Sequence, residues 1–263
     1  MPMRAVRVAV SLAALVLTGC GGSSDDASAA PAGSSTAGPG GTLTVFAAAS
    51  LTDVFTELGE QLEADAPGLD VQFNFAGSSA LAAQVVQGAP ADVFASANEA
   101  QMAVVTDAGL AAGEPQVFAA NVLQIAVPAG NPAGVTGLAD LARAELTVAV
   151  CAPQVPCGAA AEDLFAAAGV TPAPDTLEED VRAALTKVEL GEVDAALVYT
   201  TDVAAAGDAV EALDVPEAEQ AVNEYPIVTL AEAPDPEAAA AFVELVRSAE
   251  GQQALADAGF RIP

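Results

Sequence analysis

Apolar and polar positions change period repeatedly along this chain. Leu43–Ala47 is a continuous apolar run of strand length, and from Ser50 to Ala64 the residues Val54, Phe55, Leu58 and Leu62 recur at helical spacing. The alternation continues with a predicted strand Val71–Phe75, helix Leu81–Gln87 and strand Asp92–Ser96. Strands Val122–Pro128 and Leu146–Val150 follow, then helix Ala159–Ala168, helix Glu179–Leu190 and strand Ala195–Tyr199. Strand Tyr225–Leu230 and helix Pro236–Ser248 come near the end. Short apolar strands separated by helices predict an α/β chain of parallel sheets with helices on both faces. The length accommodates one such sheet or two.

The first residues follow a different pattern. Arg4 and Arg7 precede an apolar run from Val8 to Leu17, and Leu17-Thr18-Gly19-Cys20 comes next. A charged start, a short apolar stretch and small residues read as a signal peptide over 1–19, too short for a spanning helix. Its ending resembles the lipobox of bacterial lipoproteins, which implies cleavage before Cys20 and lipid on its sulfur. The chain is then exported and anchored to the cell membrane, on its periplasmic or outer face. Residues 20–41, rich in Gly, Ser, Ala and Pro, read as a flexible tether with an r.m.s. reach of about 25 Å.

Composition narrows the chemistry. The 263 residues carry 36 acidic and 7 basic side chains and no histidine, a net charge of −29. Without histidine, Ser-His-Asp and Cys-His catalysis and His-ligated metal sites are excluded. The acidity argues against nucleic acid, whose phosphates need a Lys/Arg surface. Sugar clefts stack rings, and this chain has no Trp and two Tyr.

What sits where a strand gives way to a helix is more informative. Ser50 begins Ser-Leu-Thr-Asp, Gly77-Ser78-Ser79 precedes Leu81, Pro156-Cys157-Gly158 opens the helix at Ala159, and Glu178-Glu179-Asp180-Val181 opens another. A helix N-terminus offers unpaired N–H groups and about half a positive charge, so each start is a potential anion seat. Equally, Ser50, Ser78 and Asp180 can simply cap their own helices.

Leu43–Asp53 (LTVFAAASLTD), Phe75–Ala82 (FAGSSALA), Gly88–Ala97 (GAPADVFASA), Val155–Gly158 (VPCG), Glu179–Leu185 (EDVRAAL) and Ala196–Asp202 (ALVYTTD) form an ordered set of motifs. With Glu224-Tyr225-Pro226 and Gly259-Phe260, they resemble the periplasmic molybdate-binding proteins of ABC importers, a type II solute-binding family. The resemblance implies a two-lobed periplasmic-binding-protein fold, each lobe a mixed, mostly parallel sheet flanked by helices, with the ligand cleft between lobes. Lobe I would comprise 42–121 plus 222–263 and lobe II 122–221, with crossings near Asn121 and Val222. Carried over residue by residue, Ser50 and Ser78 would offer hydroxyl and N–H donors, Cys157 and Val181 their N–H groups, and Tyr199 its phenol. The family commonly has Ala where Cys157 stands, a change that spares a backbone donor. Molybdenum would be held only as its oxyanion, with no cofactor, by a monomer whose partner is the importer's permease.

Charge supports neutral donors, since so few basic residues cannot bind an anion by point charges. Molybdate, tungstate and sulfate carry no proton at neutral pH, whereas phosphate is partly protonated and needs an acceptor. Asp53, one turn into its helix, reads as a cap, and Asp92 as a carboxylate tying a loop to a neighbouring helix start. Tyr225 reads as packing, and Lys187 and Arg247 as solvated helix-face charges. Cys151 and Cys157, six apart in an exported chain, read as a disulfide, with a redox-active pair or two free thiols as the alternatives. Arg182 sits on the outer side of its helix, pairs with an acid, or reaches the cleft to bind a carboxylate. The competing functions are therefore a receptor for sulfate or a small carboxylate using Arg182, and an exported enzyme. The latter would be a thiol–disulfide exchanger at Cys151 and Cys157 or a hydrolase at Ser50, which lacks both histidine and a G-x-S-x-G elbow.

Overall fold

The computed structural model describes residues 40–263, so the predicted signal peptide at 1–19, Cys20 and nearly all of the predicted tether lie outside the described residues. The strand predicted at Leu43–Ala47 is β1, Gly41–Ala48, and its neighbours in one five-stranded sheet are β2 (Leu69–Ala76), β3 (Val93–Ala95), β4 (Gln116–Asn121) and β10 (Asn223–Thr229). The sheet order is β2-β1-β3-β10-β4. A second sheet, ordered β7-β6-β8-β5-β9, is built from β5 (Leu123–Pro128), β6 (Val148–Cys151), β7 (Thr176–Glu178), β8 (Ala195–Tyr199) and β9 (Val210–Leu213). The chain passes from the first sheet to the second between Asn121 and Leu123 and returns between Leu213 and Asn223.

Each sheet is mixed rather than purely parallel. β1 runs parallel to β2 and β3, and β6 runs parallel to β7 and β8. β10 runs against both β3 and β4, and β5 against both β8 and β9. Four strands per sheet thus point one way, and the reversed strand is in each case the first after a crossing. The parallel expectation misses these two because strand polarity is set by the crossing, not by local sequence.

Among the described residues eight α-helices flank the sheets: α1 (Thr52–Asp65), α2 (Ser78–Val86), α3 (Glu99–Asp107), α4 (Pro156–Ala168), α5 (Val181–Glu189), α6 (Thr200–Ala206), α7 (Pro236–Arg247) and α8 (Ala249–Asp257). β1 is apolar at successive positions because both of its faces are covered. Leu43, Val45 and Ala47 join a core with Phe55, Phe118 and Phe242, while Phe46 faces another with Leu81, Phe94 and Met102. The second sheet has its own core, from Leu123 and Val148 to Leu164, Leu185 and Leu197. Asp92, fully buried, accepts from the Thr44 N–H and the Asp235 N–H, both at 2.7 Å, tying the end of its loop to the start of α7. Among the described residues no helix is long and apolar enough to cross a membrane.

Candidate functional site

Three helices and a 3-10 turn start at one small cavity between the two sheets. Its lining includes Ser50, Ser78, Cys157, Val181 and Tyr199, each buried. Ser50 lies in the 3-10 turn Ala49–Leu51 that leads β1 into α1, Ser78 opens α2, Cys157 follows the first residue of α4, Val181 opens α5, and Tyr199 ends β8. The first N–H groups of a helix have no partner within it, so the strand-to-helix order of the sequence aims these donors at the cavity. The cavity is tight, with space for one small occupant.

The capping alternative fails at two of the three positions. The Ser50 hydroxyl lies 2.9 Å from the Tyr225 hydroxyl, and α1 has no side-chain cap. The Ser78 oxygen accepts from the Ala97 N–H at 3.0 Å, which leaves its own proton free to donate, and α2 likewise has no side-chain cap. Asp180 does cap, accepting from the Ala183 N–H at 2.9 Å. This bond turns toward α5 the one carboxylate among the cavity's lining residues, and no Lys or Arg is among them. A site with these walls attracts an anion only through neutral dipoles.

The approach of the two halves is close. A Cβ built on Gly77 would meet the Glu179 carbonyl oxygen at 2.2 Å, so only glycine permits this backbone contact. A Cβ on Gly158 would lie 1.9 Å from the Ala152 carbonyl oxygen, which packs the Cys151–Cys157 loop onto the start of α4. Cys151 and Cys157 are joined by a disulfide with Cα atoms 5.6 Å apart, closing that loop beside the cavity. Gln101 donates to the Gln154 carbonyl at 3.1 Å, and Arg261 forms a bidentate pair with Glu219 at 2.7 and 2.6 Å.

Arg182 does not face the cavity. Its guanidinium pairs with Asp53 across the cleft, and its Nε lies 2.9 Å from Asp202 Oδ1, at an angle too poor for a hydrogen bond. The expectation that Arg182 pairs with an acid holds, and the carboxylate-binding alternative loses its cation. Asp53 is thereby an ion-pair partner rather than the cap read from its position. Lys187 is also paired, 2.7 Å from Glu178, instead of freely solvated, whereas Arg247 is exposed. Asp202 is fully buried and accepts from the Tyr199 N–H at 3.1 Å. Burial raises its pKa to about 7 against the opposing influence of Arg182.

Sequence reading missed three polar residues around the two tyrosines. Asn121, buried at the first crossing, donates to Thr201 at 2.9 Å and accepts from Thr200 at 2.8 Å. Asn223, at the second crossing, donates to the Tyr199 hydroxyl at 2.7 Å and to the Ala97 carbonyl at 2.8 Å. Asp202 is the third. Tyr225, read as packing, does pack edge-on against Phe118, Phe260 and Tyr199, and its hydroxyl also joins this network through Ser50. An asparagine opening an apolar strand is a sequence signal that could have been followed, since Asn is disfavoured in strands.

Comparison with known proteins places the chain. The profile of the bacterial extracellular solute-binding protein family matches residues 43–261. The chain belongs to that family. It is 46% identical over 233 residues to the molybdate-binding protein ModA of Mycobacterium tuberculosis (strain ATCC 25618 / H37Rv), covering 88% of this chain and 89% of that protein. The resemblance drawn from the motifs therefore extends over most of the chain. Among solved structures, the periplasmic molybdate-binding protein of Azotobacter vinelandii matches with a TM-score of 0.72 at 22% identity, over 84% of this chain and 99% of that one. The sulfate-binding protein SubI of Mycobacterium tuberculosis H37Rv matches with a TM-score of 0.74 at 21% identity, over 84% and 86%. Both likenesses show the two-lobed α/β binding-protein fold.

Proposed function

We propose that this solute-binding protein captures molybdate, and tungstate with it, between its two lobes and delivers it to the permease of an ABC importer. Lobe I is taken as 42–121 with 222–263 and lobe II as 122–221, a division that follows the two sheets. The observation that carries the reading is a small cavity shared by Ser50, Ser78, Cys157, Val181 and Tyr199 and bordered by no cationic side chain. The relative named a molybdate-binding protein at 46% identity supports the same ligand.

Energetics are consistent with this role. A hydrogen bond to a charged partner contributes roughly 1.5–3 kcal/mol, so about seven N–H and O–H donors can offset dehydration of the anion and the cost of closure. A net gain of about 8–12 kcal/mol corresponds to micromolar to nanomolar affinity. Because each lobe holds part of the donor set, the anion favours the closed form over the open one, and the permease would recognise that shape. Phosphate, which at neutral pH needs an acceptor, is disfavoured where the Asp180 carboxylate is committed to its own helix. Acylation of Cys20 and the tether would hold the protein at the membrane face, as a monomer, with no cofactor.

The test is a thermal-shift titration of the purified full-length protein with molybdate, tungstate, sulfate, phosphate and glutamate. A ligand at about a hundred times its Kd adds about 2.7 kcal/mol of stability. Stabilisation by micromolar molybdate and tungstate, with phosphate and glutamate inert, is the expected result. Stabilisation by sulfate alone would replace molybdate with sulfate as the ligand, and silence from every oxyanion would overturn the reading.

A further inference from the structure

We propose that Asn223 is a positioning residue for the oxyanion seat, fixing the direction of the Tyr199 hydroxyl so that its single proton points to the cavity. The inference rests on the proposed oxyanion reading and deepens it. Asn223 is buried at the start of β10, immediately after the chain returns to the first sheet. Its Nδ2 lies 2.8 Å from the Ala97 carbonyl oxygen, 2.7 Å from the Tyr199 hydroxyl oxygen and 3.4 Å from the Pro156 carbonyl oxygen. Two carbonyl oxygens facing one end of the carboxamide identify that end as the NH2 group, because an oxygen there would meet only lone pairs.

The NH2 group has two protons, and its two short contacts are Ala97 and Tyr199. The Tyr199 oxygen is therefore an acceptor toward Asn223, and the phenol has only one proton left to place. Tyr199 lines the cavity, and the other polar neighbour of its hydroxyl is Tyr225, whose own hydroxyl lies 2.9 Å from that of Ser50. The acceptors open to the Tyr199 proton are therefore a cavity occupant and the Tyr225 oxygen, of which an anion is the stronger. Burial pushes both phenols above their ordinary range, which keeps them protonated. An acceptor-only occupant, such as a fully deprotonated dianion, is matched by this arrangement. A hydrogen phosphate needs an acceptor for its own proton and meets a donor instead.

The same carboxamide spans the cleft. Ala97 follows β3 of the first sheet, whereas Tyr199 and Pro156 belong to elements of the second. The orientation of the phenol is thus complete only when both halves are in place.

The experiment is a double-mutant cycle read by calorimetric titration of the full-length protein with molybdate and with phosphate. Asn223→Leu leaves the Ala97 and Pro156 carbonyls without a donor, and the phenol proton turns to them. Asn223→Asp supplies an acceptor for that proton instead. Each variant is expected to weaken molybdate binding about 10- to 100-fold, roughly one charged hydrogen bond, and to narrow the molybdate-to-phosphate preference by a similar factor. In a Tyr199→Phe background neither substitution has a proton to redirect, and the further loss is expected to stay below about threefold. Equal losses in both backgrounds would assign Asn223 a purely structural tie and overturn the proposal. So would unchanged affinity in both variants. Failure of the wild-type protein to bind any oxyanion would refute the underlying function, an outcome distinct from either.

Discussion

Gly77→Ala isolates the closure of the two halves from the chemistry of the site. Gly77 has φ −60° and ψ 134°, a conformation that alanine adopts without strain, so the backbone itself tolerates the change. The added methyl, however, meets the Glu179 carbonyl oxygen at 2.2 Å, and that oxygen has to recede by about 1 Å to reach ordinary contact. Glu179 lies two residues before Val181, so the start of α5 retreats with it, and donors on opposite sides of the cavity no longer meet one anion together. If two charge-assisted hydrogen bonds are lost at roughly 1.5–3 kcal/mol each, molybdate affinity falls about 100-fold or more. Calorimetric titration measures the affinity, and denaturant unfolding without ligand is expected to change by less than about 1 kcal/mol. Small-angle scattering with saturating molybdate should show a larger radius than wild type. Affinity within threefold of wild type would refute the view that binding requires this backbone contact.

Other perturbations separate further contributions. Asp202 has its folded pKa raised to about 7 from 3.8, so the folded state binds the extra proton between these values and the stability it contributes is lost as pH rises through about 7. Relative to Asp202→Asn, the wild type should lose up to a few kcal/mol of unfolding free energy between pH 4.5 and 8, and the opposite slope would contradict burial as the dominant cause. Asp53→Asn removes the cross-cleft partner of Arg182, but Asp53 is largely exposed. The expected cost is below about 1 kcal/mol, seen as a two- to fivefold loss of affinity that vanishes in 1 M salt. Reducing the Cys151–Cys157 disulfide frees the loop beside the cavity and should lower stability by about 2 kcal/mol or more. It should also weaken molybdate binding, and an unchanged affinity would exclude the Cys157 N–H as a preorganised donor.

How much of this was readable in sequence depends on the range of the interaction. β1, α1, β2 and α5 are legible because apolar periodicity is a local property, and the strand-to-helix order already puts Ser50, Ser78, Cys157 and Val181 at helix starts. α3, β4, α6, β7, β9 and α8 escape it. β7 has three residues with Leu177 exposed, and α6 follows β8 with no intervening loop, so neither has a pattern of its own. Polarity of β5 and β10 is likewise absent from local sequence. Within the site, Ser50 and Ser78 serve neither helix as a cap because their hydroxyls meet Tyr225 and Ala97, partners distant in the chain. Asp53 with Arg182, and Asn223 with Tyr199, are pairings across the cleft that exist only once both sheets are assembled.

The most direct test of an oxyanion held by neutral donors is a crystal structure of the protein with molybdate, located by the anomalous scattering of molybdenum. A single peak in the cavity is expected, with its oxygens about 2.7–3.1 Å from donors of Ser50, Ser78, Cys157, Val181 and Tyr199 and no cationic side chain in contact. A peak beside Arg182 or any other basic residue, or none in the cavity at saturating molybdate, would contradict it.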